Sequence, residues 1–296
     1  MRSLLIILCV FAGLHLQSVS AQSLAPYIKV GDYKDNISKT ASVVQSALNA
    51  KGFEMIGDYN PEGKANLRVM VFTRNDLQQT TLKVKDRGAL ASVLKVGLIN
   101  NNTTTTVSYL NPTYIFNAYL RSEYAKHADN LSKINADFVS GLSSLGNENK
   151  EYGGSVSVGK LQNYHYQVFM PYFTDPVTLK TFSSFEEGVA VIEKNLKANK
   201  SNTKLVYSEV FKTDKVAIFG VGLMNASKGE AHFLPIIGEN NIAAMPYEII
   251  LQDNKATMLH GRFRIALHWP SLTMGTFMKI MSSPGNIEEA LKSVCE

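Results

Sequence analysis

His260 and His268, two imidazoles eight residues apart, come nearest to a metal pair in this sequence. Zinc takes His, Cys and carboxylate ligands that converge on one point. Read as one strand, the stretch puts both rings on one face but about 26 Å apart at ~3.3 Å per residue, so they do not share an ion. Met274, Met278 and Met281 recur at i, i+4 and i+7 of an expected helix, and thioethers can hold Cu(I). Leu272, Phe277 and Ile280 beside them favour a core face instead. Ser157, in Gly154-Ser155-Val156-Ser157-Val158-Gly159, lacks the spacing of a Gly-x-Ser-x-Gly elbow. Gly220-Val221-Gly222 lacks the third glycine of a dinucleotide loop and falls in a strand. Glu186-Glu187 and Glu288-Glu289 open helices, where carboxylates complement the helix dipole without acid–base work. The residues therefore assign no catalytic group, no metal site and no cofactor.

Aromatic side chains gather near two proline-ended stretches. Tyr109, Tyr114, Phe263, His268 and Trp269 are the candidate lining of a pocket for an apolar or amphipathic ligand. The reading favoured is a non-enzymatic protein binding a small molecule or a protein partner in a cleft between two domains. The alternatives are an enzyme assembled from scattered groups such as His232, His260, Arg262 and Glu248, or a surface assembly protein.

The elements that must position these residues alternate along the chain. Ser38–Lys51 places Val43, Val44, Ala47 and Leu48 on one helical face, and Gly52 stops it. Strands are expected at 53–56, 67–72, 94–99 and 103–109, the last two joined by Asn100-Asn101-Asn102, which suits a hairpin. A helix follows over 113–131 and continues through Ile134, Phe138 and Leu142, before a Ser/Asn/Gly-rich linker. A second series begins with a strand over 166–173. A helix over 184–199 follows, capped by Ser184 with Glu187 in capping-box spacing. Strands at 205–211, 216–223, 247–251 and 257–269 come next, then helices over 272–281 and 287–294.

The chain opens with Arg2, an apolar run from Leu4 to Leu16, and Ser18-Val19-Ser20-Ala21. That order matches a secretory leader cleaved after Ala21, and the run is shorter than the ~20 residues that span a bilayer. The expected address is periplasmic or secreted. Cleavage leaves Cys295 as the one cysteine, which near the end of the chain reads as an incidental thiol. With 45% hydrophobic and 19% charged residues, the composition excludes a disordered chain. The positive charges are dispersed, which argues against a nucleic-acid partner.

The two halves repeat. Ala25–Ile28 resembles Met170–Phe173, Leu94–Asn100 matches Tyr247–Asp253 in apolar alternation, and Pro112 is set against Pro270, with offsets growing along the chain. Each half also resembles the domain of unknown function 302 family: a helix ending in Gly52-Phe53, a strand, a long loop, a short helix leading into Leu94–Ile99, a hairpin, and the ending Val107-Ser108-Tyr109-Leu110-Asn111-Pro112. The second half departs from this, with no Gly-Phe before Leu205 and Leu267 in the tyrosine's place. The resemblance implies an α+β fold of two similar domains, each an antiparallel sheet with helices on one face, and implies no chemistry. The expected division is a leader over 1–21, a first domain over 22–131, a helical extension and linker over 132–164, and a second domain over 165–296.

Overall fold

A computed structural model describes residues 22–296. The leader read over 1–21, with its cleavage after Ala21, lies outside the described residues. In chain order the first part runs β1 (Ser23–Leu24), β2 (Tyr27–Tyr33), α1 (Ile37–Asn49), β3 (Glu54–Tyr59), β4 (Leu67–Thr73), α2 (Asn75–Leu82), β5 (Leu94–Asn101) and β6 (Thr104–Leu110). It continues with α3 (Pro112–Leu120), α4 (Ala128–Leu142), β7 (Lys150–Tyr152), β8 (Val156–Ser157) and α5 (Val158–Gln162). The second part runs β9 (Val177–Thr181), α6 (Phe185–Lys197), β10 (Thr203–Phe211), β11 (Val216–Leu223), α7 (Glu230–Ile237), β12 (Tyr247–Gln252) and β13 (Lys255–Met258). It ends with α8 (Gly261–His268), α9 (Met274–Lys279) and α10 (Ser283–Cys295).

The fold is α+β, built on two antiparallel sheets. One has the order β3-β4-β5-β6-β2-β7 and the other β10-β11-β12-β13-β9. Without β7 the two orders are the same, and so is the connectivity. Register agrees as well. Val71 pairs Lys95 in the first sheet, and Gly220 pairs Glu248 in the second, so Lys95 and Glu248 hold corresponding places. Val30 and Leu179 are the bulged residues of the opening strands, and Ile56 and Val206 those of the edge strands.

Each sheet carries helices on one face. Asn36 caps α1 by accepting from the Lys39 amide, and Ala41, Val44 and Leu48 turn inward at helical spacing. The Ser184 hydroxyl does the same for α6, accepting from the Glu187 amide at 3.1 Å, and Ile192 and Leu196 are buried beneath it. α1 and α4 cover the first sheet, α6 and α10 the second. The opposite face of the first sheet receives the short 3-10 segment Glu239–Ala244 of the second part.

Across this boundary corresponding residues meet. β3 lies against β10, and a Cβ on Gly57 would stand 2.9 Å from the Val206 carbonyl, so only glycine lets the edges come this close. The Lys95 ammonium is ion-paired with Glu248 and donates to the Pro246 carbonyl at 3.2 Å. Arg264 also reaches Glu248 at 3.3 Å and donates to the carbonyls of Ala244 and Pro246. All three side chains are buried, and the guanidinium lies 3.7 Å over the Tyr247 ring.

Several sequence expectations are corrected. Residues 166–173 form turns, not a strand; the opening strand of the second part is β9. The register sets Ile28 against Val177, so Ala25–Ile28 does not correspond to Met170–Phe173. The strand expected over 257–269 ends at Met258, and α8 takes its place. Gly261 therefore stands where Pro112 does, and the pairing of Pro112 with Pro270 falls. His260 and His268 consequently flank one helix. The long helix over 113–131 is broken after Leu120, where Arg121 takes φ 55°. The linker is not free of structure, since β7 joins the first sheet beside β2. Cys295 is buried on α10, not frayed, and burial pushes its thiol up to about 12. α2 and α7 had no counterpart in the sequence reading.

Candidate functional site

Of the five residues expected to line a ligand pocket, four pack into closed interior. Tyr109 faces the helices, with its ring edge-on to Phe138 of α4 at 5.6 Å. The Tyr114 hydroxyl donates to the Leu267 carbonyl at 2.7 Å. Phe263 is wedged between Tyr164 and Phe173. His268 is buried and bonded through Nδ1 to the Arg264 carbonyl; burial, then the charges of Arg264 and Lys95, hold it well below the usual imidazole range. Only Trp269 borders open space. The boundary between the sheets, where a cleft was expected, is filled by side chains such as Tyr114, Lys95, Glu248 and Arg264.

The open space beside Trp269 is a pocket of about 240 Å³. Ile265 and Ala266 of α8 form one wall, Met274 and Phe277 of α9 another, and Tyr166 and Met170 of the loop before β9 a third. Local sequence explains the shape. Trp269 ends α8, and Thr273 starts α9 by accepting from the Thr276 amide, so the chain turns back within a few residues. Ile280, at the C-terminal end of α9, is fully buried and anchors the helix. The lining is predominantly apolar. Its one charged member is Arg262. Of the six described arginines, Arg68, Arg74, Arg87, Arg121 and Arg264 each pair with a carboxylate, and Arg262 with none among the described residues. Trp269 Nε1 is buried without an acceptor.

A second hollow adjoins this one and shares Met170 and Arg262 with it. His165, stacked on Tyr172 at 4.1 Å, and His260 line it with Asp175. His260 Nδ1 accepts from the Arg262 amide and so caps α8; burial, then the Arg262 charge, lowers its pKa. The groups of the enzymatic alternative are not gathered. Glu248 is held in the interior by Lys95 and Arg264, whereas His260 and Arg262 lie at the surface hollow. His232 sits apart on α7.

The sequence reading also set Met274, Met278 and Met281 on a core face. All three are more than half exposed, because Phe277 and Ile280 take the inward positions of the shortened helix. Of the pocket residues, Tyr166 and Ile265 were not singled out, Arg262 was named only for the enzymatic alternative and Phe277 only for a core face. The available signal was the unbroken uncharged run from Tyr164 to Phe173, which resembles a buried strand in hydropathy alone.

No family model matches the chain, and no curated protein matches it. Among solved structures, it is similar to an uncharacterized conserved protein DUF302 from Bacillus stearothermophilus. The alignment has 12% identity and a TM-score of 0.36, covering 40% of this chain and 98% of that one. Among the described residues no helix is long and apolar enough to cross a membrane.

Proposed function

We propose that this chain is an exported, non-enzymatic binding protein that takes an amphipathic anion, with the ligand's apolar part in the pocket at Trp269 and its charged end at Arg262. The observation that carries the reading is the joining of an apolar pocket to the one described arginine without a carboxylate partner. A guanidinium so placed offers a fork of donors to a carboxylate or phosphate while its stem lies along the apolar wall. The leader at residues 1–21 supports export, and the shared strand order and bulge positions support descent of both halves from one duplicated unit of the domain of unknown function 302 type. On that reading α4, β7, β8 and α5 are the additions that join the copies.

Trp269 is the single tryptophan of the sequence, so its emission reports the pocket directly. Titration with dodecanoate is expected to give a saturable shift in emission. Arg262→Gln is expected to weaken dodecanoate by about tenfold, the loss of one charge-assisted contact, while leaving dodecanol unchanged. Emission that stays flat across fatty acids, alcohols and alkyl phosphates would overturn the reading.

A further inference from the structure

The six large hydrophobic side chains exposed among the described residues are Val168, Phe169, Tyr172, Met274, Met278 and Met281. They come from two segments only, the loop before β9 and the α9 region. Both segments line the pocket, through Tyr166 and Met170 of the loop and Met274 and Met281 of the α9 region, and Met170 also borders the second hollow, where Val168, Phe169 and Tyr172 lie. The apolar surface is thus one collar around the pocket mouth. Patches of this kind mark binding surfaces. Phe169 is the extreme case. It is fully exposed, and its backbone sits at φ 68°, a region costly for an aromatic residue.

The charge pattern of the collar decides its occupant. Residues 164–173 hold no carboxylate, lysine or arginine, and residues 270–287 hold Lys279 alone. Asp175, which accepts from the Tyr172 amide at 2.9 Å and lines the second hollow, and Glu288 are the first carboxylates beyond them. Arg262, without a carboxylate partner, stands between the segments. Apolar side chains flanked by Arg262 and Lys279 fit the surface of an anionic lipid bilayer, where apolar groups enter the headgroup boundary and cations meet lipid charge. We infer that this collar docks on an anionic membrane surface, so that the ligand passes between bilayer and pocket without crossing water. The inference rests on the pocket reading above, since it names the bilayer as the source of the ligand. Docking of this type is peripheral and adds no membrane-spanning element.

Flotation of the leader-free protein with vesicles tests it. Vesicles of phosphatidylcholine with phosphatidylglycerol are expected to carry the protein, and pure phosphatidylcholine to carry much less. The double variant Phe169→Asp/Met278→Asp is expected to lose at least about tenfold in partitioning, since two apolar insertions are replaced by charges repelled by the lipid. Both positions are exposed, so the variant's melting temperature should match the parent's. Lys279→Glu is expected to weaken binding to the anionic vesicles only. Absence of flotation with both vesicle types would overturn docking, as would flotation unchanged in the double variant. So would a concentration-dependent doubling of mass, abolished by the same substitutions, in protein that ignores vesicles; the collar would then be a self-association face. The double variant titrated with dodecanoate separates the two readings. A retained Trp269 response with lost flotation leaves the pocket intact and assigns the collar to docking, whereas flotation without any Trp269 response in the parent sinks the pocket reading alone.

Discussion

At the scale of single residues, burial decides behaviour that side-chain type leaves open. Glu230 accepts from the Tyr59 hydroxyl at 2.9 Å and from the amides of Leu223 and Glu62, three donors that favour the carboxylate. Complete burial outweighs them and pushes its carboxyl up to about 7. An unfolded glutamate releases its proton at about 4.3, so between these values the native state holds the extra proton. Stability contributed by this group therefore falls as pH rises from about 4.3 to 7 and stays low above that, a change of roughly 4 kcal/mol. Urea unfolding from pH 5 to pH 8 is expected to show this decline, and Glu230→Gln is expected to flatten it. An equal slope in parent and variant would assign the pH dependence elsewhere. Nothing in the sequence around Glu230 distinguishes it from a surface glutamate opening a helix. Its burial comes from Tyr59, 171 residues away, and no local pattern carries that.

Among the elements, α8 shows what periodicity misses. Gly261 and every residue from Phe263 to His268 are buried, Arg264 and His268 among them, and Arg262-Phe263-Arg264-Ile265 alternates polar and apolar residues as a half-buried strand does. α1 and α6, each amphipathic and capped, were legible for the opposite reason. The last carbonyls of a buried helix need donors. Here three tyrosines supply them: Tyr164 donates to Ala266 at 2.7 Å, Tyr114 to Leu267 at 2.7 Å and Tyr27 to His268 at 2.8 Å. Two of these come from the first part of the chain, so the helix end is completed across the boundary. Tyr27→Phe and Tyr114→Phe are each expected to lower unfolding free energy by about 1–3 kcal/mol, the cost of a buried carbonyl left unpaired. Denaturant midpoints check this, and the double variant should depart from additivity because the two carbonyls are adjacent. The strand reading of 166–173 failed for a different cause. An apolar run normally means burial, and here the run is surface between its buried ends, Tyr164 and Phe173.

For the whole molecule, two antiparallel sheets with helices on one face each were legible from the repeating order of segments. The closed boundary was not, because its key contact joins Lys95 to a residue 153 positions later. That contact gathers two cations, Lys95 and Arg264, around one carboxylate, Glu248. Burial accordingly pulls the Lys95 pKa down. Removing either kind of partner has unequal consequences. Lys95→Met leaves one cation with one carboxylate and is expected to change stability by no more than about 1 kcal/mol, while Glu248→Gln strands two buried cations and is expected to cost about 3–5 kcal/mol. Chemical denaturation of the two variants compares them, and a Lys95→Met loss as large as that of Glu248→Gln would contradict the assignment. Opposite charges at corresponding places also make the halves mutually selective. Two first halves set face to face would oppose lysine to lysine, and two second halves glutamate to glutamate. Like-with-like exchange between neighbouring molecules is thus electrostatically disfavoured, and the covalent tether supplies the one neutral match at high effective concentration.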